Sequence, residues 1–516
     1  MRVLMLAAEN DCILGAKVGG VADVIRDVPK ALAEHDVDVD VVIPDYGYYH
    51  SHYHGECVAE VSFSFAHQQQ TAYLYKLHAI SSDKVTQYVV VHPLFQQAGE
   101  SRVYCHDEDN RPFAKDATKF ALFCNVIAEC ILQGHLSADI YHLHDWHAAT
   151  FAVLLKFDAR YRDFANTKLV YTVHNLALQG TRPFNGDDSS LEAWFPSLSY
   201  DGQQLCDPRY PFCYNPMRAA ISLVDKVHFV SDSYAEEVLC ASDHQNGIYG
   251  GEGLEHILAD NSNKLVGILN GCEYSNEPEP KVTLDCFLRS SKSCLRNWMS
   301  RFEQLKTVHY LANEQISLWQ DSPQFKGPVV SSIGRLTEQK VRLLVERIDG
   351  ELVLSKLLFD LEQKSGRFIM LGSGDSHYEF ILMQLMAKHS NFLFLNGYGQ
   401  SLSDDLYVLG DIFLMPSSFE PCGISQMLAL KAGQPCIVHG VGGLKDTIKH
   451  HENGFVFEGN TISEQVTSLQ NVFNDALNRY MNDGTHWQTM VQTAKSSRFS
   501  WQSSIEQYLT KLYKNE

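Results

Sequence analysis

No run of apolar residues in this 516-residue chain approaches the roughly 20 that a membrane-crossing helix needs. The start, MRVLMLAAEN, has only a short apolar segment before Glu9 and no small-residue cleavage site, so the expectation is a chain that is not secreted. Basic residues are few: 42 Lys and Arg stand against 62 Asp and Glu, a formal net charge of -20. That excludes a broad basic face for nucleic acid but leaves room for a neutral polymer, or for a small anion in a local basic pocket. No CxxC pair occurs among the thirteen cysteines, and their odd number and scatter fit reduced thiols in a cytoplasm rather than a disulfide scaffold. Low-complexity tracts are absent too.

What is present is a strand–helix alternation. VLMLAA (3–8) leads through glycines into the amphipathic VADVIRDVPKALAEH, and VDVDVVIP (37–44) is a second strand whose acids Asp36, Asp38 and Asp40 read as one wet face rather than metal ligands. The pattern continues with helix 116–132, strand ADIYHLHD, a helix from Ala148, KLVYTVHN (168–175), KVHFVS (226–231) and KLVGILNG (264–271). It resumes with GPVVSSIGR, GRFIMLGSG, NFLFLNG, DIFLMPSS and PCIVHGVGG. Alternation of this kind predicts an α/β fold with parallel, doubly wound sheets, and the length predicts two domains. The Pro- and charge-rich NEPEPKVTLD and a polar helical stretch to about Trp319 separate them. The expected organisation is 1–275, a helical connection over 276–325, a second domain over 326–495 and a terminal helix over 496–516.

One phrase occurs near both ends: VGGVADVI at 18–25 and VGGLKDTI at 441–448. Both sit where a strand gives way to a helix, the edge at which open α/β sheets bind ligands and where helix amides face an anion. Polar clusters collect at other strand ends: HLHDWHA (142–148), TVHNLALQG (172–180), ILNG (268–271), GRLTEQK (334–340) and SSFEPCGISQ (417–426). A cleft lined by βα loops requires such clustering. His142, His144 and His147 around Asp145 raise a zinc alternative, which lacks a Cys or second acid at a useful spacing.

In this order and spacing the motifs resemble the bacterial glycogen synthase and plant starch synthase family, over nearly the whole chain. HDWHA, HNLALQG and FEPCG carry the most specific part of the likeness. The resemblance implies the GT-B architecture, two Rossmann-like domains facing an interdomain cleft, with the terminal helix returning to the first. It also implies a retaining glucosyltransferase that moves glucose from ADP-glucose, or less favourably UDP-glucose, to an α-1,4-glucan, with no cofactor or metal, no nucleic acid and no membrane. Arg335 and Lys340 then match diphosphate-binding positions, and Glu420 the essential acid. Asp145 and His174 match positions beside the transferred glucose. Lys17, Gly19, Gly20 and Asp23 match the donor-covering loop. Asn175, Gln179, Asn270, Tyr398, Cys422, Gly423, Ser425, Gly442 and Gly443 match further substrate-binding positions. The chain departs from the family pattern at Val18, Val21, Val341, Gly399, Gln400, Ser418 and His439. These positions spare Lys17, Asp145, His174, Arg335, Lys340 and Glu420, so the expectation is an active transferase.

Overall fold

The structure, a computed structural model, describes residues 1–96, 102–105, 107, 110–274, 282–301, 306–321 and 326–514. It divides into two compact units. The first comprises Met1–Ala241, Gly250–Gly271 and Trp501–Glu516; the second comprises Ser242–Tyr249 and Cys272–Ser500.

In the first unit, strands β1 (Arg2–Leu6), β2 (Asp38–Pro44), β3 (Glu56–Phe65), β4 (Gln68–Lys76), β5 (Val85–Val91), β6 (Ile140–His144) and β7 (Lys168–Val173) join one sheet. A short antiparallel pair, β8 (Arg182–Pro183) and β9 (Cys213–Tyr214), stands apart, and β10 (Lys226–Phe229) and β11 (Leu265–Gly267) complete the sheet. Its order is β11-β10-β7-β6-β1-β2-β5-β4-β3. The strands from β11 to β5 run parallel, whereas β3, β4 and β5 form an antiparallel meander that the repeating strand–helix reading did not anticipate. That edge tolerates solvent on one side, and β3 alternates exposed and buried positions accordingly. The wet face expected for β2 is not there. Between β1 and β5 the strand is covered, and the buried Asp40 carboxylate lies 3.7 Å from Arg2 Nε. Asp36 is not on the strand but in the left-handed turn before it.

The carboxyl-terminal helix Trp501–Gln507 continues as a π-turn, Tyr508–Tyr513, and packs onto this first unit. Trp501 Nε1 donates to Asp27 Oδ2 at 3.2 Å and Ser504 Oγ to the Leu269 carbonyl at 2.7 Å.

The second unit holds a wholly parallel sheet. Its strands are β12 (Val329–Ile333), β15 (Arg367–Gly372), β16 (Phe392–Asn396), β17 (Ile412–Met415), β18 (Cys436–His439) and β19 (Gly454–Phe457), ordered β16-β15-β12-β17-β18-β19. A small antiparallel pair, β13 (Arg347–Ile348) and β14 (Glu351–Leu352), lies outside it. The stretch 276–325, expected as a connection, contributes two helices to this unit, Leu284–Met299 and Thr307–Asp321. Phe287, Leu295, Trp298, Ile316 and Trp319 from them share one core with the sheet. Trp298 Nε1 donates to the Tyr398 carbonyl at 3.2 Å and Trp319 Nε1 to that of Ser390 at 2.8 Å. Most of NEPEPKVTLD, together with 302–305 and 322–325, lies outside the described residues.

Candidate active site

In the first unit the functional side chains sit on loops that leave the carboxyl ends of β1, β6, β7 and β11. Helix Gly20–Ala33 begins directly after Gly19. Its entry loop was expected to aim free amides at a ligand anion, but the anion is internal. The Glu9 carboxylate accepts from the main-chain N–H of Val18 at 2.7 Å and of Gly19 at 2.6 Å, and its other oxygen accepts from Tyr104 Oη at 2.6 Å. Lys17 is left to reach outward. Its ammonium contacts Asp23 at 2.6 Å and Asp11 at 3.2 Å, and Arg26 pairs with Asp11, Asp23 and Asp27. Burial pulls the Lys17 pKa down, but hydrogen bonds and charge from Asp23 and Asp11 outweigh it, so the net shift is upward.

Asp145 opens helix Asp145–Phe157 and takes a left-handed conformation, φ 54°. Its Oδ1 accepts the main-chain N–H of His174 at 2.7 Å. Burial raises its pKa to about 7, against the pull of amide donors from His174 and Asn175 and with a further push from Glu9. His174 is buried; its Nε2 lies 3.0 Å from His144 Nδ1, and burial followed by repulsion from His228 lowers its pKa to about 3. Asn175 spends its side-chain oxygen on the Ala177 N–H at 2.7 Å. Gln179 is spent at both ends: Nε2 donates to the Leu176 and Glu252 carbonyls, each at 3.1 Å, and Oε1 accepts from Arg209 and Asn215. It therefore shapes the loop rather than offering a free amide. The Asn270 side-chain oxygen is buried with no partner among the described residues, an acceptor still open.

The zinc alternative meets the same accounting. His142 uses one ring nitrogen on Tyr513 and the other on Thr172, and His144 turns to His174. Among the described residues no three His, Cys, Asp or Glu side chains are grouped to hold a metal ion.

In the second unit, Arg335 stands exposed after β12, and Lys340 lies in the first turn of helix Glu338–Val345. Both line a pocket with Gly334, Leu336, Met415 and Ser417. The Lys340 ammonium pairs with the Glu420 carboxylate, which also accepts from Ser417 Oγ at 3.3 Å. The Gly442–Gly443 turn presses onto the FEPCG loop. The Gly443 N–H donates to the Glu420 carbonyl at 3.1 Å, and a Cβ on Gly442 or Gly443 would fall 2.2 Å from the Glu420 oxygen or 2.1 Å from the Cys422 oxygen. So the two GG phrases do different work: the first is tied by a carboxylate, the second clamps the loop that carries Glu420.

Gly423 has φ 78°, and Cys422 Sγ donates to its carbonyl at 3.5 Å. Ser425 begins helix Ser425–Ala432 beside Tyr407. Tyr398 exposes 66% of its surface, and its hydroxyl donates to Gln400 Oε1 at 2.5 Å. His439 is buried, stacked on Phe457 with centroids 4.9 Å apart, and donates to the Ser417 carbonyl at 3.2 Å; burial lowers its pKa to about 4, against the pull of that bond. Ser418 is buried as well. The segment Ser242–Tyr249 joins this unit: Arg342 donates to the His244 and Gln245 carbonyls, and Tyr249 packs on Phe419.

Residues 2–260 match the starch synthase catalytic domain family, and residues 321–486 match glycosyl transferases group 1. The glycogen synthase of Desulfitobacterium hafniense is 31% identical over 98% of both chains, and that of Clostridium botulinum strain Alaska E43 is 31% identical over 100% of this chain and 99% of its own. The chain belongs to the glycogen and starch synthase family. It is a glucosyltransferase that acts on glucan. The catalytic domain of starch synthase IV from Arabidopsis thaliana, bound to ADP and acarbose, aligns over 99% of this chain and 98% of its own with a TM-score of 0.72 and 25% identity. Sucrose-phosphate synthase from Thermosynechococcus elongatus aligns at 0.53 and 15%, a likeness of fold. Both units are Rossmann-like and the fold is of the GT-B type.

Glu9 and Tyr104 escaped the sequence reading. The one available signal was an acid standing just past the end of the first strand.

Proposed function

We propose that this transferase moves glucose from ADP-glucose to the non-reducing end of an α-1,4-glucan with retention of configuration, in the cytoplasm. The observation that carries the reading is the Lys340–Glu420 pair: the Gly442–Gly443 turn holds the Glu420 backbone, and Lys340 lines a pocket together with Arg335. A departing nucleoside diphosphate gains negative charge, and preorganised cations lower the barrier most when they face that charge. Arg335 and Lys340 supply two, and the N-terminus of helix Ser425–Ala432 adds amide dipoles. Glu420 binds the hexose and supports positive charge developing at the anomeric carbon. From the first unit, His174, Asp145 and Asn270 seat the sugar, and Lys17 exchanges its aspartate partners for the donor. The leaving phosphate accepts the proton of the incoming glucan hydroxyl, so both the bond formed and the bond broken lie on one face.

ADP rather than UDP is favoured by the likeness to the ADP-bound starch synthase IV. The cytoplasmic assignment rests on the odd number and scatter of the thirteen cysteines, a pattern that suits reduced thiols. Calorimetric titration with ADP and with UDP tests the donor. ADP binding at least roughly tenfold tighter, about 1.4 kcal/mol, is expected; equal affinities or a preference for UDP would overturn the assignment.

A further inference from the structure

The carboxyl-terminal segment reaches the histidines beneath His174, and the polarity of that contact is fixed by chemistry. The Ile268 carbonyl can only accept, so His228 Nε2, 3.2 Å away, carries a hydrogen. Burial lowers the His228 pKa to about 4, so the ring is neutral near pH 7 and its Nδ1 is bare. The Thr172 hydroxyl, 2.9 Å from that Nδ1, therefore donates to it. Its oxygen then accepts from His142 Nε2 at 2.7 Å. Burial holds His142 neutral as well, so its Nδ1 is bare and accepts from the Tyr513 hydroxyl at 2.7 Å. Tyr508 Oη, 3.5 Å from His228 Nδ1, adds a weaker donor to the same atom.

The His142 ring stacks on His144 with centroids 4.4 Å apart, and His144 stacks on His174 at 5.3 Å while contacting it through nitrogen at 3.0 Å. The other end of the wire, Ile268, lies two residues before Asn270.

We infer that Tyr513 and Thr172 are positioning residues for the sugar site: a one-way hydrogen-bond wire from the last turn of the chain fixes His142 and His228, and through the stacked rings sets the orientation of His174. The inference rests on His174 lying beside the transferred glucose. It gives the carboxyl-terminal segment a task in turnover besides packing.

Histidine-selective ¹⁵N labelling of the full chain reads the tautomers directly. His142 and His228 are both expected as the Nε2–H form; an Nδ1–H form in either overturns the wire, whether or not any variant folds. Tyr513→Phe keeps the ring and removes the donor, and Thr172→Val cuts the wire in the middle. Each is expected to lower kcat roughly tenfold, about the effect of one buried hydrogen bond, with KM for ADP-glucose within about twofold. Thr172→Ser restores the hydroxyl and is expected to stay within about twofold of the parent. An active parent whose Tyr513→Phe variant keeps full kcat overturns the positioning role. A parent that transfers no glucose from any donor would instead undo the reading of the site, and leaves the tautomer result standing on its own.

Discussion

The main-chain N–H of His174 donates to Asp145 Oδ1 at 2.7 Å, and Asp145 accepts it from a left-handed conformation that few non-glycine residues take. Two strand-end loops, HDWHA and HNLALQG, are joined by this bond. Asn tolerates the same conformation and keeps the acceptor oxygen, whereas Ala does neither. Thermal melts should therefore place Asp145→Asn above Asp145→Ala, with the alanine variant losing about 1–3 kcal/mol relative to the parent. An alanine variant as stable as the parent would show that the bond does not hold the loops.

Acid should destabilise the first unit. His142, His144, His147, His174 and His228 are all buried with pKa values held below 6.5, down to about 4 for His228 and about 3 for His174. A folded-state pKa below the unfolded one stabilises above pH 6.5, and that contribution is lost as pH falls through the folded value. Asp145, raised to about 7 by burial, works the other way between about pH 7 and 4. Five groups oppose one, each weighing up to about 1.4 kcal/mol per pH unit. The melting midpoint is expected to drop between pH 6.5 and 5, more steeply in Asp145→Asn, which lacks the opposing group. A midpoint that is flat or rising over that range contradicts the assignment of neutral buried rings.

The two glycine phrases should respond differently to a methyl group. A Cβ on Gly20 meets nothing within 4 Å, and alanine suits a helix start, so Gly20→Ala should change stability by less than about 1 kcal/mol. Gly443→Ala drives its Cβ into the Cys422 carbonyl, and the loop carrying Glu420 must shift, at a cost of about 1–3 kcal/mol. Denaturant unfolding of the two variants side by side checks this; equal effects would contradict it.

Glu9→Gln tests the internal anion. The carboxylate takes two amide bonds and one tyrosine bond, and the neutral amide weakens all three, so a loss of about 1.5–3 kcal/mol is expected. Because the same loop carries Lys17, the KM for the sugar nucleotide should rise with it. An unchanged KM would show that Lys17 does not depend on Glu9.

The sequence disclosed the strand-end motifs because a parallel strand must reverse outside the sheet, and the polar residues of those loops contrast with apolar strands. Glu9 stayed hidden because an acid that binds a loop ten residues on and Tyr104 95 residues on leaves no local pattern. The helices Leu284–Met299 and Thr307–Asp321 read as a connection because only one face of each is buried, by residues such as Phe287 and Trp319 amid polar neighbours. The Tyr513–His142 contact spans 371 positions, beyond the reach of any spacing argument.

Transfer of labelled glucose into glycogen, by the parent and by Glu420→Gln in parallel, tests the central claim most directly. The parent should incorporate label from ADP-glucose into chains that β-amylase digests, and Glu420→Gln should fall by about 10²–10³ while remaining folded. No incorporation by the parent, or a Glu420→Gln variant as active as the parent, would contradict the account.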